Sequence, residues 1–292
     1  KAALLLFADL LSKERTDYSD EDLRTTEAIL TESDLDPRLV LLLVPFLQEE
    51  VLQGPQGIWV QRGLAQVTEF YLEHLPGNKR GRRVPTQLLL DMVKRYLLVW
   101  QGKRGYGSIT DEAFVIDSVD AALLHLLLEQ DAQLLRESRP GGAIRAELYR
   151  LVDNWKGNFD RAVVLLEEYN RLFVLSRLYQ SRKMSGRVLE TWRRIAEQGT
   201  EADPDFTASA AEAHMRKYLV RIRDEQLVEE YGTWLASRNP ALGIQVFSDD
   251  SSRVKLDPPS VVQMLKERAP NAVQDYLEHL VFAKHVWTQF NY

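Results

Sequence analysis

The carboxy-terminal part of the chain carries one amphipathic helix pattern after another, separated only by short prolyl turns. Apolar residues recur at helical spacing over 227–235 and again over 272–281, and Asn239-Pro240 and Ala269-Pro270 interrupt the pattern. Each apolar stripe is the buried face of one helix, and a single helix cannot bury its stripe alone. The pattern therefore predicts an all-α fold, an α-solenoid of stacked antiparallel helical hairpins, which is an architecture used mainly for holding other proteins.

Length and composition set the scale of this solenoid. The 292 residues are 45% hydrophobic and 27% charged, which is typical of a globular protein and not of a disordered one. They suffice for one large or two modest domains, or for about seven hairpins of ~40 residues. The clearest internal break is Pro140-Gly-Gly142. We expect an amino-terminal solenoid part over 1–140 and a carboxy-terminal part over 141–292, as two parts or as one continuous rod.

Charge and cysteine content exclude several classes of protein. The net charge of −6 argues against nucleic acid as a partner, because binding to phosphates needs a positive field. The absence of cysteine removes disulfides, thiolate zinc sites and cysteine nucleophiles, and it fits the reducing cytosol. The longest apolar run, 39–47, contains Pro45 and falls short of a membrane span. The chain lacks an initiator Met and stops after a helical pattern, so we expect it to be part of a longer protein.

Capping signals give the helix starts in the amino-terminal half. Ser19 opens a capping box before a weak helix. Asp36-Pro37 predicts a helix to about residue 52, kinked at Pro45. A helix is expected over 58–74, and Thr110 is predicted to cap a long central helix. Further helices are expected at about 144–154, 159–168, 170–181, 185–197, 206–222, 224–238, 240–247, 258–268 and 270–288.

Two loops could bind anions. A cluster of cations in the loop before Pro85 could contact an anionic surface or act as a localisation signal, or could be a solvated loop; it comprises Lys79, Arg80, Arg82 and Arg83. The glycine-rich segment Gly102–Ser108 follows a helix and lacks the spacing of a phosphate loop. We interpret it as a helix–helix connection.

The sequence contains no recognisable catalytic, metal or cofactor site. No histidine pair has the spacing that puts two metal ligands on one helix face, and His125 and Glu129 form an ordinary helical pair. Glu167-Glu168 and Glu229-Glu230 fall on polar faces. We therefore predict a protein that is not an enzyme and has no cofactor. An all-helical enzyme with inward-facing carboxylates that bind a metal–phosphate substrate is the alternative.

The aromatic residues divide into two groups. Helical spacing places the first group in the core: Trp192, Tyr218, Tyr231 and Trp234. The second group lies near helix ends and is expected to be partly exposed, as interface anchors are: Trp59, Trp155 and Trp287.

Two stretches resemble known helical repeats. Residues 157–166 followed by 172–179 resemble a clathrin-heavy-chain repeat. The stronger resemblance is to the complex-specific subunits of the CORVET and HOPS membrane tethers, a family that includes the TGF-beta receptor-associated protein and fungal vacuolar protein sorting three. Its structural motif comprises Asn239, Pro240, Gly243, Phe247, Tyr276, Leu277 and Leu280. The first 140 residues fit this family only as continuing solenoid.

The resemblance implies a non-enzymatic tether segment. In such proteins an amino-terminal propeller, outside this chain, binds a Rab GTPase, and a carboxy-terminal segment docks on the shared core of the complex. The implied partners are the other tether subunits, with peripheral membrane association on the cytoplasmic side of endosomes or of the vacuole or lysosome. Residues 276–284 are closer to the CORVET branch. A HOPS-type subunit and a free-standing solenoid adaptor for helical peptides are the alternatives.

Overall fold

The computed structural model describes residues 2–13, 15–33, 35–55, 58, 85–107 and 109–282. Within these residues every regular element is a helix and none is a strand, so the predicted all-α class is confirmed. The chain divides into two compact units, Lys1–Tyr169 and Asn170–Tyr292. The predicted break at Pro140-Gly-Gly142 lies inside the first unit, between two helices. As a domain boundary it stays a prediction.

The first unit is organised around one long helix. Its described helices are α1 (Ala2–Ser12), α2 (Asp20–Glu32), α3 (Pro37–Leu41), α4 (Gln87–Gly102), α5 (Glu112–Arg136), α6 (Gly142–Asp153) and α7 (Phe159–Glu168). Helix α5 packs against α3, α4, α6 and α7, and Val119, Leu124 and Leu126 on its different faces are fully buried. The prediction of a central helix is confirmed.

Local capping chemistry starts the helices of this unit. The backbone N–H of Ser19 donates to Asp22 Oδ2 at 2.7 Å, and the N–H of Asp22 donates to Ser19 Oγ at 3.2 Å, which completes the predicted capping box. Asp36 caps α3 as predicted. That helix ends at Leu41, however, and not near residue 52. Pro45 has no N–H to continue the helical ladder, and turns bonded over three residues follow.

The predicted cap of the central helix was wrong. Helix α5 begins at Glu112, and the preceding residue is Asp111 and not Thr110. Asp111 has φ 54° and ψ 37° and makes no side-chain capping bond. A capping residue needs extended backbone to direct its side chain at the first N–H groups, so the left-handed geometry of Asp111 prevents such a cap.

The second unit has the packing order of an α-solenoid. Its described helices are α8 (Leu172–Ser181), α9 (Ser185–Gln198), α10 (Ala208–Leu219), α11 (Glu225–Arg238), α12 (Pro240–Ser248), α13 (Pro258–Arg268) and α14 (Val273–Phe282). Neighbours pack in sequence from α8 to α12, and next-but-one contacts link α10 to α12, α11 to α13 and α12 to α14. This succession confirms the predicted stacking of helical hairpins.

The aromatic residues follow the predictions only in part. Trp192 and Tyr231 are buried as expected. Tyr218 and Trp234 are partly exposed, because their polar ends reach Ser185 Oγ and Glu197 at the surface. Trp155, expected to be partly exposed, is only 6% exposed. Its Nε1 donates to a local backbone carbonyl at 3.2 Å, which satisfies the indole inside the fold.

The apolar stripe of α11 gives a direct test of the stacking. Leu235 is fully buried, and Leu235→Asp would place an unpaired carboxylate in the core of the second unit. We expect this variant to lose about 3–5 kcal/mol of its free energy of unfolding, measured by urea denaturation with circular dichroism.

The matched control is Gln226→Asp, which adds the same charge at an exposed position in the first turn of the same helix. A negative charge there is favourable, so this variant should unfold like the wild type. If Leu235→Asp were as stable as Gln226→Asp, the assignment of this stripe to the core would be wrong.

Candidate functional site

The residues on which the family resemblance rests lie in the second unit, on α12, α14 and the residue that joins α11 to α12. Asn239 ends α11 and caps α12, since its side chain accepts a hydrogen bond from the backbone N–H of Leu242 at 3.3 Å. Its Nδ2 donates to Glu212 Oε2 at 3.2 Å. Pro240 occupies the first position of α12, where a missing N–H costs nothing. This pair therefore ends one helix and starts the next.

Glu212 links the junction between α11 and α12 to helix α10. It lies on α10, is 7% exposed, and accepts from Arg238 Nε at 2.6 Å as well as from Asn239. Arg238 also donates to the carbonyl of Ala196 at 2.6 Å. The polar groups at the end of α11 are thus held by both α9 and α10.

Glycine allows α11 and α12 to cross closely. A Cβ atom on Gly243 would overlap the backbone of Ala236, and a Cβ on Gly232 would stand 2.7 Å from Phe247 Cζ. The two contacts are reciprocal, because each helix supplies one glycine to the crossing. A side chain at position 243 would force the helices apart because it would meet backbone, whereas the Phe247 ring fills the space beside Gly232. Gly243 therefore sets the spacing of this hairpin.

The remaining motif residues belong to the core. Tyr276 and Leu280 are each 2% exposed and pack with Val261, Leu265 and Ala272, and Leu277 lies at the edge of the same cluster. Burial, with the charge of Asp257 added, raises the pKa of Tyr276 to about 12. The motif therefore stabilises the helix stack and presents no ionised group for chemistry.

Several sequence-predicted features lie outside the described residues. These are the helix expected over 58–74 beyond its first residue, the tryptophans Trp59 and Trp287, and the basic cluster of Lys79, Arg80, Arg82 and Arg83. An anionic-surface contact by that cluster stays a prediction. Among the described helices, none combines the length and the apolar character that crossing a bilayer requires.

The described part of the glycine-rich segment, residues 102–107, begins at the end of α4 and precedes α5, as predicted for a helix–helix connection. Arg104 forms an ion pair with Asp120, and the backbone N–H of Gly105 donates to the carboxylate of Glu112. A phosphate cradle needs its cation and its amides to point at the ligand. Here Arg104 and the backbone N–H of Gly105 instead contact the carboxylates of Asp120 and Glu112.

A buried carboxylate forms the main polar cluster of the first unit. The side chain of Glu50, in the short turn Gln48–Glu50, is 0% exposed. Arg161 on α7 donates to both of its oxygens, at 2.7 and 2.6 Å. His125 Nδ1 on α5 lies 2.6 Å from Glu50 Oε1. Burial alone would raise the pKa of Glu50, but hydrogen bonds from Arg161 and His125 outweigh it and hold that pKa below its ordinary value.

The cluster continues through Tyr169. His125 Nε2 lies 3.1 Å from the Tyr169 hydroxyl, which donates to Glu129 Oε2 at 2.8 Å. Burial and this bond to Glu129 raise the pKa of Tyr169. His125 and Glu129, predicted as a simple helical pair, are therefore bridged by a third residue. This network links the turn that contains Glu50 to helices α5 and α7. Its hydrogen bonds provide partners for the carboxylates of Glu50 and Glu129.

Sequence reasoning missed the pairing of Glu50 with Arg161. The two residues lie 111 positions apart, so no spacing rule connects them. The only local signal is a pair of acidic residues, Glu49 and Glu50, shortly after the apolar run that ends at Leu47, which is also compatible with a surface turn.

The described residues contain no group of three His, Asp or Glu side chains that could hold a metal ion. The carboxylate pairs Glu167-Glu168 and Glu229-Glu230 are exposed or half-buried, as expected for polar faces. The described residues thus form packed helices with buried polar groups paired between them, and the Glu50 network is the example that joins the most distant parts of the first unit.

Part of the chain is similar to two vacuolar sorting proteins. Over 128 residues it is 30% identical to vacuolar protein sorting-associated protein 39 homolog of Caenorhabditis elegans, covering 42% of this chain and 14% of that protein. Over 134 residues it is 26% identical to vacuolar sorting protein 3 of Arabidopsis thaliana, covering 40% and 14%. The similarity supports the resemblance at the level of vacuolar sorting proteins.

The matched region is a small share of each relative, 14% of its length. No family model matches the chain. No solved structure matches it significantly.

The close crossing of α11 and α12 yields a second test. Gly243→Ala should destabilise the second unit by about 2–3 kcal/mol, because the added methyl group overlaps helix backbone that cannot rotate away. The measurement is the free energy of unfolding in urea.

Gly186→Ala is the matched control, since a Cβ at that position within α9 has its nearest neighbour at 3.9 Å. It should be neutral or more stable by about 0.5–1 kcal/mol, as alanine favours helix. Equal stability of Gly243→Ala and wild type would contradict the close crossing.

The Glu50 network predicts a specific pH dependence. An unfolded Glu has a pKa of ~4.3, and that of folded Glu50 is lower. Its stabilisation is therefore fully present above about pH 4.3 and is lost as pH falls through the folded pKa. Glu50→Gln should cost about 2–3 kcal/mol of unfolding free energy at neutral pH, and this cost should shrink as the pH falls below about 4.3.

Glu49→Gln removes the neighbouring, exposed carboxylate and is the control. Its effect should stay within about 0.5 kcal/mol at every pH. A cost of Glu50→Gln that did not change with pH would show that the ionised form is not what stabilises the fold.

Proposed function

We propose that this chain is a non-enzymatic helical segment of a subunit of a membrane-tethering complex that acts in endosomal and vacuolar sorting. The observation that carries the proposal is the partial similarity to vacuolar sorting proteins 39 and 3. The stacked helices support it, because a tether needs a long element that holds two binding ends apart.

The proposed mechanism is geometric. In the second unit, helices pack on helices close in sequence, as neighbours from α8 to α12 and as next-but-one neighbours from α10 to α14, so the direction of the stack is set by local crossings such as that of Gly243 on Ala236. Such a segment transmits distance and orientation between a membrane-bound end and the core of the complex. It needs no cofactor and no catalytic group.

We further propose that the subunit is of the CORVET type and links a Rab-binding propeller, outside this chain, to the core of the complex. Its place would be the cytoplasmic face of endosomes, as a peripheral protein. The motif residues from Tyr276 onward support this branch. The two relatives, at 30% and 26% identity, leave a HOPS-type subunit of the vacuole or lysosome as the alternative within the family.

Affinity purification tests the proposal. The protein is tagged at its own locus, purified from cells at native abundance, and its partners are quantified by mass spectrometry. We expect the shared tether core together with the CORVET-specific subunits. Enrichment of the HOPS-specific subunits would keep the tether function and reverse the branch.

The Leu235→Asp variant, purified in parallel, is the control for dependence on the folded solenoid. Partners retained by that variant do not depend on the helix stack of the second unit. If the wild-type protein purified without any tether subunit while remaining folded by circular dichroism, the proposed function would be refuted.

A further inference from the structure

A groove runs along the central helix of the first unit. Helix α5 forms its floor, and α4 and α6 form its two walls, which we call the α5 groove. It contains cavities of about 610 and about 520 Å³. Lys94 on α4 lines both cavities and donates to Glu147 Oε2 on α6 at 3.0 Å. This single ion pair bridges the walls between the two cavities.

The larger cavity has an apolar lining. Leu98 on the α4 wall is 45% exposed, although it is an aliphatic side chain at a concave surface. Leu123 and Leu127 form the floor, and Leu151 and Trp155 close the side opposite Leu98. A volume of about 610 Å³ lies within the usual range of ligand pockets. An aliphatic group placed here would remove Leu98 from water.

The rim of the same cavity is cationic. Four cations line it against two carboxylates, and both carboxylates are already paired, Glu147 with Lys94 and Asp120 with Arg104. Arg150 and Lys156 complete the rim; both are exposed, and neither forms an ion pair with a described residue. A chain of net charge −6 therefore places two available cations beside an apolar cavity.

We propose that the α5 groove binds a short acidic segment of a partner protein, with an aliphatic side chain against Leu98 and carboxylates on Arg150 and Lys156. The apolar wall and the two available cations together select this partner. Phosphate alone, on a nucleic acid or a lipid headgroup, would satisfy the cations and leave the apolar wall in water. A neutral apolar peptide would leave the cations without partners. The site is independent of the proposed tether function.

Fluorescence anisotropy with designed peptides tests the site on the whole chain. The probe is a short labelled peptide with a central pair of leucines flanked by Asp and Glu. One comparison peptide has serines in place of the leucines, and another has lysines in place of the acids. We expect saturable binding of the probe with a Kd of about 10–100 μM, and binding at least about tenfold weaker for both comparison peptides.

Two groove variants localise the binding. Arg150→Glu with Lys156→Glu should weaken the probe at least about tenfold, and Leu98→Ser about fivefold. Both charged positions are exposed, so the fold should persist, as circular dichroism would verify. The matched control is Arg24→Glu with Lys266→Glu, which changes the charge equally at exposed positions that do not line the groove. It should bind like the wild type.

Three outcomes would overturn the proposal. The first is no saturable binding of the probe up to about 1 mM. The second is equal loss in the groove and control variants, which would mean unspecific attraction between charges. The third is binding to vesicles of anionic lipid, abolished by the groove variant while peptide binding is unaffected, which would assign these cations to a membrane and not to a protein.

Discussion

The constraint on which the structure depends is that each helix has one apolar face too large to leave in water and no means of burying it alone. In the second unit these apolar faces are buried at a succession of helix crossings, each between helices close in sequence. In the first unit a single long helix, α5, offers apolar surface on several sides and is covered by its neighbours. The same constraint therefore produces a serial stack in one unit and a central-helix cluster in the other.

Sequence predicts well those helices whose bounds are determined by residues close together in the chain. The helix over 159–168 and that over 258–268 have the predicted bounds, and both begin with a side-chain cap, Asn158 and Asp257. A cap and an apolar period are local features, so they need no knowledge of the rest of the chain. The helix expected over 270–288 begins instead as a short turn, Pro270–Ala272, before α14.

The features that could not be predicted depend on distant residues. Trp155 is buried because its surroundings close over it, and Asp111 takes a left-handed conformation beside Gly54, whose missing Cβ makes room for its carboxylate. The pairing of Glu50 with Arg161 and His125 belongs to the same class. The motif residues were predicted as a set from a family resemblance, but their physical role, a close crossing and a capped junction, required coordinates.

The reciprocal contact of Gly232 with Phe247 has a consequence for how this protein can change over time. The phenyl ring fills the space that a side chain at position 232 would need. A larger residue at 232 requires the side chain at 247 to become smaller or to turn its ring aside. The sizes of the residues at these two positions should therefore be coupled among relatives, because the close spacing of α11 and α12 is kept while the side chains between them change.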